Sequence, residues 1–135
     1  MAGTANSIIT PQTPRSNNAS VTTANTTYST APTNTVVLFT AGVNGARVTR
    51  LSAMPQATVT AAQLQLFRSR DNGTTKYFVN SALQAAYTMA TNTAAPVTDF
   101  GYSDDNPLIL AANEVLYVGS SITQNVTFNA EGADY

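Results

Sequence analysis

Asn72-Gly73 lies between two strand-like runs, AAQLQLFRSR (61–70) and TTKYFVNSAL (74–83), and this pair constrains the fold more than any other feature of the sequence. A type I′ turn needs positive φ at both central residues, which asparagine and glycine tolerate. The two runs are therefore expected to fold back on each other as an antiparallel hairpin. In the first run, Leu64 and Leu66 are expected to point inward and Gln63 and Gln65 outward, because successive side chains of a strand alternate between faces.

Other short apolar runs follow the same logic. NTVVLFTA (34–41), bounded by Pro32 and Gly42, reads as a strand buried on both sides, and GARVTRLSAM (45–54) as a half-buried strand ended by Pro55. PVTDFGYS (96–103), LILAA (108–112), EVLYVGSSI (114–122) and QNVTFNAEGADY (124–135) are further candidates, separated by turn chemistry at SDDNP (103–107) and Asn113. Residues 81–93 are ambiguous: Leu83, Ala86, Tyr87 and Ala90 have helical spacing, yet the stretch is short and rich in threonine, so a short helix and a loop fit equally. Seven or eight short strands without long helices to cover a parallel sheet predict an all-β protein, a single β-sandwich or jelly-roll-like domain spanning residues 34–135.

Residues 1–33 differ in composition and are expected to form an extended polar N-terminal arm. Pro11, Pro14 and Pro32 disfavour helix, while the threonines between Ser20 and Thr30 suit an edge strand. SIITPQTPRSNNASVTTANTTYST (7–30) has Arg15 as its one ionisable side chain and too few apolar groups to offset its own ordering entropy. Its order is expected to come from a partner, with Ile8, Ile9, Pro11, Arg15, Val21 and Tyr28 as the contacting residues and backbone pairing to a sheet edge as the mode of binding.

Only 10% of the 135 residues are charged and the net charge is −1. No basic excess is available to displace counterions from phosphates, so nucleic acid is not expected as a partner. The signs are nevertheless sorted: Arg47, Arg50, Arg68, Arg70 and Lys76 occupy the middle of the chain, and Asp99, Asp104, Asp105, Glu114, Glu131 and Asp134 follow. Two explanations are open. The halves neutralise each other within one fold, or Arg47, Arg50, Arg68 and Arg70 meet Asp104 and Asp105 of a neighbouring copy. No charged segment followed by an apolar run begins the chain, and no stretch approaches the length of a membrane span, so neither secretion nor a membrane partner is expected.

Histidine and cysteine are both absent, which excludes Ser-His-Asp and Cys-His catalysis, disulfides and the common zinc sites. Asp99, Asp104, Asp105 and Asn106 form the one oxygen-rich cluster. Its spacing fits no EF-hand, and an Asx-type turn is the default reading, with a hard cation as the alternative. Asp104 and Asp105 are adjacent, which on a strand sends them to opposite faces and argues against paired carboxylate catalysis. Asp99-Phe100-Gly101 matches a kinase triplet by letters only, and the sequons at Asn18, Asn25, Asn72 and Asn125 are expected by chance from composition. A non-enzymatic protein without a cofactor or metal is expected.

The stretch from about residue 61 to residue 135, through LQLFRSRDNGTTKYFV (64–79), a variable Thr/Ala/Pro segment and PLILAANEVLYVGSSITQNVTFNAEGADY (107–135), resembles a group of small virion proteins of tailed bacteriophages. Those proteins share a Leu-rich strand before a polar hairpin, an L.LPAG..L stretch, and an ending close to N.....F.V.A.GGDY. The matching positions include Leu64, Leu66, Phe67, Leu108, Leu110, Ala112, Leu116, Asn125, Phe128, Ala130, Gly132, Asp134 and Tyr135; Asn113 and Ala133 stand where glycine is usual. The resemblance implies a head decoration or cement protein, made in the host cytoplasm. It would bind the major capsid protein on the outer surface of the phage particle as a homo-oligomer, with a trimer favoured. The alternatives are a tail, neck or fibre component of the virion, or a carbohydrate-binding β-sandwich module.

Overall fold

A computed structural model describes residues 10–135 as an all-β sandwich of two antiparallel sheets, with no helix among them. Nine strands follow in order: β1 (Thr13–Val21), β2 (Val36–Thr40), β3 (Ala46–Pro55), β4 (Ala62–Ser69), β5 (Tyr77–Gln84), β6 (Thr98–Asp99), β7 (Leu108–Leu110), β8 (Val115–Ser120) and β9 (Val126–Asp134). One sheet has the order β1-β9-β3-β6, with β7 also on β3; the other has the order β2-β8-β4-β5. The alternation read from Leu64 and Leu66 places both in the core between the sheets, with Leu38, Leu51, Leu116, Val118 and Phe128.

The hairpin expected at Asn72-Gly73 joins β4 and β5, and the two residues have φ of 58° and 93°, as a type I′ turn requires. The ladder does not run up to the turn, however, because residues 70–76 leave it. The Lys76 N–H donates to the Thr30 carbonyl at 2.9 Å, its ammonium to Thr35 Oγ1 at 3.1 Å, and the ammonium lies 4.3 Å from the centre of the Tyr117 ring. The return leg is thus drawn onto residues 30–35. Residues 81–93 contain no helix: β5 continues to Gln84, and Tyr87 then bridges to Val59. β2 is not buried on both sides, since Val36 and Val37 are exposed ahead of buried Leu38 and Phe39 and a register shift separates Val37 from Phe39. An edge strand has only one neighbour to cover it.

The N-terminal stretch folds onto its own chain. Thr13–Val21 pairs with β9 along its whole length, from Thr13 opposite Asp134 to Val21 opposite Val126, so the ladder that orders it comes from the C-terminal strand and not from another molecule. Beyond Val21 the chain crosses to the other sheet and lies on its outer face. The Asn25 N–H donates to the Ser120 carbonyl at 2.7 Å, Asn25 Nδ2 donates to Gln65 Oε1 at 2.8 Å, and Gln65 Nε2 returns a bond to the Asn25 carbonyl at 3.1 Å. Gln65 points away from the core as expected, yet it is 0% exposed because this crossing covers it. Beside it, Phe67, Val115 and Tyr117 form a second, smaller apolar cluster. Residues 13–33 therefore belong to the sandwich, and no structural boundary falls at residue 33.

Candidate functional site

The described residues expected to form a docking arm are anchored within the chain. Arg15 Nη1 donates to Asp134 Oδ2 at 2.7 Å, and its guanidinium carbon lies 4.7 Å from the centre of the Phe39 ring. A charge-assisted bond and a cation–π contact therefore fix the one cation of the stretch. Val21 is in the core. Tyr28 donates its hydroxyl to Gln63 Oε1 at 2.7 Å and sets its ring 5.3 Å from that of Phe78, while one side stays open to solvent. Pro11 sits at the rim of a cleft described below. Ile8 and Ile9 lie outside the described residues.

The sorted charges also meet within one chain. Glu114, only 2% exposed and just ahead of β8, accepts on Oε2 from Arg70 Nε at 3.2 Å and forms an ion pair with Arg68 at the same distance, while its Oε1 accepts the Ala111 N–H of the preceding turn. Arg50 pairs with Glu131 at 3.5 Å on the surface. Arg47 donates Nη2 to the backbone carbonyl of Asp104, so its contact there is with the main chain rather than the carboxylate. Asp105 is exposed. Among the arginines proposed for inter-subunit contacts, Arg50, Arg68 and Arg70 thus have intramolecular carboxylate partners. Neutralisation within the fold accounts for most of the sorting.

One open cleft of about 610 Å³ brings several of the candidate residues together: Pro11, Arg15, Arg47 and Asp104 line it, with Thr49 and Glu131. It follows the β1-β9-β3 face near the paired ends of β1 and β9. Two guanidinium groups and two carboxylates share its walls, an arrangement suited to a polar chain segment with no preference for either sign of charge. The acidic loop after β6 is organised as a turn. Asp99 Oδ1 accepts the Gly101 N–H at 2.7 Å, and Ser103 and Asn106 exchange backbone bonds at 3.2 Å. Among the described residues, no group of three or more Asp or Glu side chains stands close enough to hold a metal ion.

Sequence reasoning missed the surface of β5. Tyr77 and Leu83 are 56% and 74% exposed on a strand with no charged residue, and the following residues, to Thr98, add none. That charge-free interval was readable in the sequence, but the periodicity of the segment alone did not say that it ends a sheet. No protein-family model, curated protein or solved structure matches the chain.

Proposed function

We propose that this chain is a non-enzymatic structural protein of a bacteriophage particle, a decoration or cement protein that binds the major capsid protein on the outer surface of the head and stabilises it. The observation that carries this reading is the connectivity of the sandwich. With β6 and β7 taken as two pieces of one interrupted strand, the orders β1-β9-β3-β6 and β2-β8-β4-β5 match the paired Greek keys of a jelly roll, an architecture found in viral capsid proteins and in lectins. Fold alone assigns no function. The resemblance adds the class: the segments that carry it, 64–79 and 107–135, supply most of β4, the start of β5, and all of β7, β8 and β9. A chain with 10% charged residues, several of them paired internally, also repels its neighbours weakly, which suits dense packing on a shell. Self-association belongs to this reading, and the resemblance favours a trimer.

The test is addition of purified protein to phage heads that lack their outer proteins, followed by co-sedimentation, imaging and thermal rupture. Saturable binding at symmetric positions on the head and a higher rupture temperature are expected. Attachment to isolated tails instead would establish the tail or fibre alternative. Saccharide binding that is lost when Tyr28 or Tyr77 is changed to Ala would establish the carbohydrate-binding one. Deleting residues 1–9 asks whether Ile8 and Ile9 contribute to attachment while leaving β1 in place.

A further inference from the structure

β5 ends the four-stranded sheet, and among the described residues no strand lies on its far side. An open edge is a template for another strand, and proteins commonly block it with charge, proline, brevity or a covering segment. The other edges carry such devices. β1 has Pro14 and Arg15, β6 and β7 are two and three residues long, and β2 has five residues and is flanked by the crossing of residues 22–35, whereas the register shift at Val79 of β5 adds neither charge nor cover. β5 has eight residues, Tyr77-Phe-Val-Asn-Ser-Ala-Leu-Gln84, with no charge and no proline, and it exposes Tyr77, Val79 and Leu83.

We infer that β5 pairs antiparallel with β5 of a second copy, joining two four-stranded sheets across a two-fold axis. Charge favours this occupant. A pairing centred on Ser81, which faces its own counterpart across the axis, sets Lys76, the nearest charged residue in sequence, opposite Ala86 of the other copy, so neutral residues meet neutral residues along the strand. The strand also matches itself in length, whereas β2, the other edge of the same sheet, has five residues. At the centre, the Ser81 N–H is held by Asn80 Oδ1 at 2.8 Å, so the ladder between copies forms from the groups on either side. This inference goes beyond the proposed role on a phage head and departs from the trimer that the resemblance favours, because a strand paired with itself closes a two-fold contact. It concerns the free protein, and failure to bind heads would leave it standing.

The experiment is analytical ultracentrifugation of the full chain over a range of concentrations. A dimer, or a tetramer built from dimers, is expected, with Leu83→Lys and Tyr77→Lys each weakening association roughly tenfold or more because each sets a hydrated ammonium against uncharged residues of the partner strand. Val43→Lys, at an equally exposed site in the turn between β2 and β3, is expected to leave association unchanged. The chain has no cysteine, so Ser81→Cys supplies its only thiol, and mild oxidation is expected to give a covalent dimer. A monomer at the highest soluble concentration, a trimer, or association indifferent to charge at Leu83 and Tyr77 would overturn the inference. The lysine variants replace exposed side chains, and a thermal melt of each verifies that loss of association is not loss of fold.

Discussion

At residue scale, two positions show how the sequence pattern becomes a steric or electrostatic requirement. Gly132 lies opposite Val48, next to the register shift between Val48 and Arg50, where the β3 backbone approaches so closely that an added methyl group would overlap the Arg47 carbonyl. Gly132→Ala is expected to destabilise the protein by about 1–3 kcal/mol, measured by chemical denaturation, because both obstructing groups are backbone. Glu114 is the other position. Arg68→Glu places a second carboxylate beside a buried one and is expected to cost about 2–4 kcal/mol, with a matching fall in Tm. Arg70 is 70% exposed and Glu114 keeps Arg68 when Arg70 is lost, so Arg70→Ala is expected to cost under about 1 kcal/mol. Arg68→Glu costing no more than about 1 kcal/mol would contradict a buried carboxylate at Glu114. Asn113 was readable from sequence in a different way. It has φ of 59°, a conformation asparagine adopts more easily than most residues, as the turn expected there requires.

At the scale of elements, the β4–β5 connection was legible in its turn residues but not in its length. Asn72-Gly73 reported the local φ, whereas the seating of Lys76 against residues 30 and 35 depends on a segment some forty positions away, and no local pattern encodes it. The loop is also closed from within. The Gly73 N–H donates to Ser69 Oγ at 2.8 Å, Ser69 donates to Asp71 Oδ1 at 2.9 Å, and the Thr75 N–H donates to the same oxygen at 2.8 Å. The Thr75 N–H, and after it the Ser69 hydroxyl, hold the Asp71 carboxyl below its ordinary range. A carboxyl whose pKa is depressed by folding contributes stability that is fully present above its unfolded value and is lost as pH falls through the folded value. Asp71→Asn is therefore expected to lower Tm slightly at neutral pH and to reduce the loss of Tm on acidification below the usual aspartate range, as followed by melts across that range. A pH profile parallel to that of the parent chain would remove Asp71 from the account.

At the scale of the whole molecule, the all-β sandwich was legible because its apolar runs are short, alternating and separated by turn residues. The fate of the N-terminal stretch was not. Its polar composition reads as an arm that takes its order from a partner molecule, but on an edge strand only one face needs to be apolar, and in β1 only Val21 is buried, with Ala19 packed partly against the core. The candidate interaction residues divided in the same way. Arg15 and Val21 were visible as exceptions in a bland segment, but what they contact is set by strands more than a hundred positions away. Removing residues 1–30 is expected to uncover the edge of β9 and to leave Gln65 without its partner Asn25, lowering Tm on the order of 10 °C or more for a loss of several kcal/mol. A truncated chain that melts within a few degrees of the parent would show that the crossing is dispensable to the body.

The place of β9 between β1 and β3 has a consequence for how the protein is made. It is the last of the nine strands to leave the ribosome, yet two others depend on it as their ladder partner, and the Arg15–Asp134 pair joins residues 119 positions apart. The first sheet therefore cannot close before β9 emerges, whatever the earlier strands have achieved. Until β9 emerges, β1 and one side of β3 lack their neighbour, so nascent chains are at greatest risk of wrong strand pairing in that interval.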